Sequence, residues 1–203
     1  MTAMVVENGT FAMPHGRPFT VRDLADFPDD GNRYELIDGL LLVSPSPSYH
    51  HQVVVVQLSY LLQTVQPTGF QVLTAPFSVQ PSPDTEVQPD VLVAMEDDYT
   101  PKNLPKGPLL AVEVLSPSTA IIDLNTKKAL YERLGSASYW VIDPIDPSLS
   151  VFELDENGKY QQVAEVRGDA AFEATQPFPV RVAPSELLEG EAARIRWRAL
   201  VKD

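Results

Sequence analysis

Glu113 stands inside Leu109-Leu-Ala-Val-Glu-Val-Leu115, an otherwise unbroken apolar run. Such a run reads as a central strand covered on both faces. A carboxylate there costs roughly several kcal/mol unless a metal, a cation or a proton compensates it. A structural ion pair would serve as well as a catalytic one. Lys127 is the second anomaly. On a predicted helix over 120–134, Ile121, Leu124, Leu130, Tyr131 and Leu134 form the apolar stripe. At about 100° per residue Lys127 falls near the middle of that stripe, so its amine is aimed at the sheet. An exposed i,i+4 pair with Asp123, worth only tenths of a kcal/mol, leaves that inward placement unexplained. Asp90 is the third: Pro89-Asp90 opens the apolar strand Val91-Leu-Val-Ala94. Proline is tolerated at the start of a strand, and taken alone this pair is a turn.

Together, two carboxylates and a lysine on neighbouring strands and a covering helix form a kit for phosphodiester hydrolysis. Carboxylate oxygens suit Mg²⁺, with Mn²⁺ as a substitute, and such an ion keeps several waters and takes phosphate oxygens. It acidifies a bound water and stabilises charge on the phosphate. The lysine orients the water or shields developing charge. The backbone carbonyl of Val114 is available as a further ligand. Metal ligands are therefore expected from Asp90, Glu113 and Val114.

These groups need a scaffold. Residues 1–18, with Pro14, Gly16 and Pro18, read as a loose segment ahead of a single domain over 19–203. A short helix is expected over 19–27, capped by Thr20 with Asp23 three residues on. Asp38-Gly39 between two strand-like runs marks a hairpin. Residues 48–66 pair four consecutive valines, which favour a strand, with helical spacing at Val54, Leu58, Leu61, Leu62 and Val65 and a capping Ser48; the spacing and length favour a helix. Strands follow over 70–80, 87–95 and 109–115, then the 120–134 helix stopped by Gly135. A buried strand over 138–143, a hairpin around Asn157-Gly158 and a short helix near 191–200 complete the chain. Alternating strands and helices predict an α/β fold, a mixed central sheet flanked by helices with added hairpins.

Pro89-Asp90 followed by Glu113-Val114 on the next strand resembles the PD-(D/E)xK nucleases, the restriction-endonuclease-like superfamily. Leu115 occupies the position of that motif's lysine; some branches carry the lysine on the following helix, where Lys127 stands. More closely, the chain resembles the Uma-two family of restriction endonucleases. The matching pieces are Tyr34-Glu-Leu-Ile-Asp-Gly39, Ser44-Pro-Ser-Pro47, His51-Gln52, Gln88-Pro-Asp90, Val112-Glu-Val-Leu-Ser-Pro-Ser118, Asp123 with Lys127 and Tyr131, and Tyr139-Trp-Val-Ile-Asp-Pro144. The resemblance implies a restriction-endonuclease-like core of order α-β-β-β-α-β and metal-dependent DNA cleavage. It implies Asp90, Glu113 and Lys127 as the site, with Glu35 as a supporting acid. Ser136-Ala137 departs from the family's usual Val-Pro, at a turn.

The remaining features bound this reading. The net charge is −13 and the pI near 4.5, which opposes tight non-specific DNA binding, since phosphate contacts supply most of such affinity. A catalytically silent binding or assembly module on the same fold is the competing expectation, and a hydrolase of smaller phosphoesters a third. The absence of cysteine excludes thiolate zinc sites and cysteine nucleophiles, and suits a reducing cytoplasm. Neither a signal peptide nor a membrane span is expected. A homodimer would suit cutting of two strands. Adjacent His50 and His51 point in different directions and read as surface or capping residues. Trp140 and Tyr139 read as core.

Overall fold

The computed structural model describes residues 17–188. The expected loose segment 1–18 falls almost wholly outside the described residues, and the expected helix near 191–200 does so entirely. A single helical turn, α1 (Val21–Leu24), leads to β1 (Arg33–Ile37) and β2 (Leu40–Ser44), then to α2 (Tyr49–Val65). The valine-rich segment is helical, and Ser48 Oγ caps it by accepting from the His51 amide at 3.3 Å. Next come β3 (Phe70–Thr74), β4 (Ser78–Ser82), β5 (Thr85–Val87), β6 (Val91–Met95), the two-residue β7 (Asn103–Leu104) and β8 (Leu110–Val114). A wide π-helical stretch, Ile122–Lys127, runs into α3 (Lys128–Arg133). Then follow β9 (Ser138–Asp143), β10 (Ser148–Leu154), β11 (Tyr160–Arg167), β12 (Phe172–Ala174) and β13 (Val180–Val182).

Two sheets carry the architecture. The larger has the order β11-β10-β9-β8-β6-β3, and the smaller β2-β1-β5-β4-β7. In the larger sheet only β8 and β9 run parallel, with Glu113 opposite Val141; the π stretch and α3 make the crossover that parallel neighbours require. Period-two alternation sorts the side chains. Val91 and Val93 of β6 and Leu110, Val112 and Val114 of β8 join Val54, Leu58 and Leu62 of α2 in one core. Leu92, Ala94 and Ala111 face the other way, toward Leu130 and Tyr131 of α3 and Ile37, Val79 and Val87 of the smaller sheet. Glu113, one residue out of step with Val112 and Val114, therefore points into the layer between the sheets. Trp140 and Tyr139 are fully buried core residues, as expected.

Two expected strands are each divided. The stretch 70–80 breaks at Ala75-Pro76, so β3 joins the larger sheet and β4 the smaller; 87–95 breaks at Gln88-Pro89-Asp90, so β5 and β6 likewise part. The cause is proline, which removes the ladder donor and forces the chain off one sheet. The division matters, because both crossings lie beside the site.

The β1–β2 turn shows how tightly that smaller sheet is anchored. Asp38 and Gly39 both have positive φ, 52° and 75°, and a Cβ on Gly39 would meet the Phe19 carbonyl at 3.2 Å as well as the Pro18 side chain. Gly39→Ala should cost about 1–3 kcal/mol, read as a shift in the chemical-denaturation midpoint at unchanged slope. A loss under about 0.5 kcal/mol would show the turn to be adaptable.

Candidate active site

Asp90 sits at the crossing from β5 into β6. Its Oδ1 accepts from Arg33 Nη1 at 3.0 Å, and its Oδ2 accepts from the Val114 amide at 2.8 Å and contacts His51 Nε2 at 3.0 Å. Arg33 opens β1, and Glu35 stands two residues later on the same face of that strand. Glu35 Oε1 accepts from the Gln88 amide at 2.7 Å. Its Oε2 lies 3.1 Å from Lys127 Nζ, which is itself 3.1 Å from Glu113 Oε1 and 3.8 Å from Asp123 Oδ1. Tyr131 donates its hydroxyl to Glu113 at 3.3 Å. Lys127 is thus the junction of both sheets, joining a carboxylate from β1 to one from β8.

All of these groups are withdrawn from solvent: Glu35, Asp90, Glu113, Asp123 and Lys127 are each at most 2% exposed, and His51 6%. Burial opposes ionisation of Asp90, but the His51 bond and the charges of Arg33, His51 and Lys127 outweigh it and hold the carboxyl at about 2. Glu113 goes the other way. Burial pushes its carboxyl well up, Lys127 opposes this, and Asp90, Asp123 and Glu35 reinforce it. Burial also raises Asp123. On Lys127 burial disfavours the charge, yet Glu113 and Glu35 overcome that and keep the ammonium. Four carboxylates thus surround two permanent cations, Lys127 and Arg33. The surplus negative charge calls for protons or a divalent cation.

The sequence-derived set Asp90, Glu113, Lys127 and Glu35 is brought together. Val114 lies beside them, its amide holding Asp90 and its residue lining the cleft. Lys127 faces inward, but on a different stripe from the expected one. Ile121 and Leu124, assigned to the inward stripe, are 79% and 40% exposed, whereas Asp123, Lys127, Leu130 and Tyr131 are buried. The π stretch takes more residues per turn than an α-helix, so the inward face before Lys127 is shifted in phase. His51 and Arg33 were not foreseen as site residues. His51 also occupies the first turn of α2, as expected of it, but its ring is buried on Asp90. The one available signal was the His51-Gln52 match. Asp123 contacts Lys127 as the i,i+4 pair, but buried, with Thr119 Oγ1 donating to it at 2.7 Å.

A cleft of about 1000 Å³ opens above the cluster. Arg33, His51, Asp90, Val114 and Asp123 line its floor, while Glu35, Glu113 and Lys127 lie beneath. The donors are hard oxygens of the kind Mg²⁺ takes. Among the described residues no three carboxylate or imidazole groups stand close enough to hold a metal as they are, because the cations fill the space between them. Glu35 Oε2 is buried and held by ion pairs alone, with Lys127 at 3.1 Å and Arg33 at 3.7 Å. By donor chemistry the residues fit a divalent ion. No helix among the described residues is long and apolar enough to cross a membrane.

Comparison with known proteins bears on the fold and the family. A crystal structure titled as a "putative nuclease belonging to DUF820" from Anabaena variabilis ATCC 29413 superposes with a TM-score of 0.67 at 16% identity, over 84% of this chain and 98% of that chain. At that identity the likeness shows the fold, which is restriction-endonuclease-like. No curated protein matches the chain. The family model Uma2, described as "Putative restriction endonuclease", matches residues 21–186. That span takes in both sheets and every residue of the buried charge cluster, and the chain belongs to the Uma2 family.

Proposed function

We propose that this chain is a divalent-metal-dependent endonuclease that hydrolyses DNA phosphodiester bonds, using Mg²⁺, with Mn²⁺ as a substitute. The observation that carries this reading is Lys127, buried and charged between Glu113 and Glu35 beside Asp90. A purely structural module gains little from such a set, since well-packed apolar residues of similar volume are commonly as stable or more so. Asp90, Glu113 and the Val114 carbonyl would hold the ion. When bound, it supplies an acidified water and stabilises charge on the phosphate. The chain's own residues do the rest. His51 and the Val114 amide fix the Asp90 carboxylate. Arg33 holds its other oxygen. Lys127 keeps positive charge next to the place where the phosphate gains negative charge, and Tyr131 orients Glu113. Glu35 keeps Lys127 in place from the second sheet.

The competing reading, a silent binding module, is favoured by two observations: the net charge of −13, and a cluster closed on its own cations. DNA cleavage decides between them. Purified protein with Mg²⁺ or Mn²⁺ should nick supercoiled plasmid or linearise single-stranded circular DNA, and an identically prepared Glu113→Ala protein should be slower by about a hundredfold or more on the same substrate. Equal rates for the two proteins would point to a contaminant and favour the binding module.

A further inference from the structure

The walls of the cleft narrow the substrate of this site, an inference that rests on the nuclease reading. Among the described residues Arg33 is the one lysine or arginine on the lining, and it is already committed to Asp90 and Glu35. The walls above the floor instead carry acids, Asp29 and Glu86, and neutral hydrogen-bonding groups such as Ser46, Ser118 and Gln52. Elsewhere on the body Lys106, Arg133, Lys159, Arg167 and Arg181 each face a carboxylate within 3.0 Å, while Arg22, Lys102 and Lys128 form no ion pair among the described residues, but none of the three lines the cleft. A duplex binder works differently. It neutralises many phosphates with free cations, and its affinity falls steeply with salt.

What the lining does offer is an aromatic pair. Phe27 and Tyr34 pack with ring centroids 4.6 Å apart, and Tyr34 is steadied by donating its hydroxyl to Asp30 at 2.8 Å. Both rings line the cleft; along β1 Tyr34 alternates with Arg33 and Glu35, so its ring stands on the other face of the strand from the charge cluster. Stacking on aromatic faces is how proteins hold unpaired bases irrespective of sequence. The cavity, about 1000 Å³, stands at the top of the ~300–1,000 Å³ range of small-molecule sites. That is room for a few nucleotides.

We infer that the cleft takes single-stranded DNA, a few nucleotides at a time, with a base stacked on Tyr34, which Phe27 backs from the other side, and the backbone hydrogen-bonded by neutral side chains. Full-length Glu113→Gln protein, in Mg²⁺, would be titrated into a labelled single-stranded octanucleotide and into a labelled duplex across 50–200 mM salt, with anisotropy as readout. The single strand should bind at least tenfold tighter, with a slope of log affinity against log salt shallower than about −2. Tyr34→Leu should weaken that binding about tenfold, and Tyr34→Phe should restore it. Duplex binding that equals or exceeds single-strand binding, with a slope of −5 or steeper, would overturn the inference, as would no binding of either. Such a slope would assign the work to cations away from the cleft, such as Lys102 and Lys128 or the carboxy-terminal Arg194, Arg196, Arg198 and Lys202. Should Tyr34→Leu fail to fold, the strand comparison alone decides. The underlying reading fails separately: single-strand preference without metal-dependent cleavage by the wild type would sink the nuclease activity and spare the substrate class, and plasmid nicking alongside duplex preference would do the reverse.

Discussion

Replacing Lys127 by alanine should abolish metal-dependent cleavage and lower the melting temperature of the metal-free protein by on the order of 10 °C. Lys127 is 2% exposed and touches Glu35, Glu113 and Asp123. Its removal leaves buried carboxylates without their cation, which costs about 3–5 kcal/mol, and each kcal/mol moves the melting point of a chain this size by roughly 2–4 °C. Lys127→Met separates charge from packing, because methionine retains most of the apolar stem. If the charge matters, both variants are inactive and both are destabilised. Divalent metal should then recover more stability in the variants than it adds to the wild type, since a cation returns to a site that lacks one. A Lys127→Met protein as stable as the wild type, with or without metal, would mean that Glu113 is simply protonated in the folded state and that the lysine does not neutralise it.

Asp90→Asn should also abolish cleavage, and its effect on stability should depend on pH in a defined direction. The Asp90 carboxyl is held at about 2, against an ordinary 3.8. A depressed carboxyl contributes stability above its unfolded value and loses it as the pH falls through its folded value. The difference corresponds to about 2 kcal/mol. The wild type should therefore exceed Asp90→Asn by roughly that amount at pH 7, the gap should begin to close below pH 4, and it should be gone near pH 2. Paired denaturation curves at pH 7, 4 and 3 measure this. A gap that stays constant over that range would mean the asparagine is penalised by misplaced hydrogen bonds, its amide facing the Val114 N–H or His51, and not by the lost charge.

Lys127 and Glu113 could be read in the sequence because charge interrupts an apolar pattern wherever it is buried, whereas Asp90, a turn residue taken alone, drew notice only beside them. Glu113 broke a seven-residue run and does lie in the core layer between the sheets. The fold class was legible from element order, and the Asp38-Gly39 and Asn157-Gly158 turns sit where the strands reverse. What escaped was everything set by long-range geometry. His51 obeys the local logic of a helix start, and only the approach of Asp90, 39 positions later, makes it a site residue. Arg33 lies at a strand end, where arginine is ordinary; its partners come from β1 itself and from residue 90. The divisions at Ala75-Pro76 and Gln88-Pro89 were signalled by proline, but a proline does not say which sheet the chain enters next. Lys127 was found on a stripe that the π stretch rearranges: Ile121 and Leu124 left it and Asp123 joined it.

The bridge from Glu35 through Lys127 to Glu113 spans two sheets built from distant parts of the chain. Its integrity is therefore a readout of completed folding. A molecule whose amino-terminal hairpin is clipped, displaced or not yet docked has lost Arg33 and Glu35 from the cluster, whatever the state of the larger sheet. Under the nuclease activity proposed above, a copy whose smaller sheet is not docked lacks Arg33 and Glu35 from the site and should not cleave.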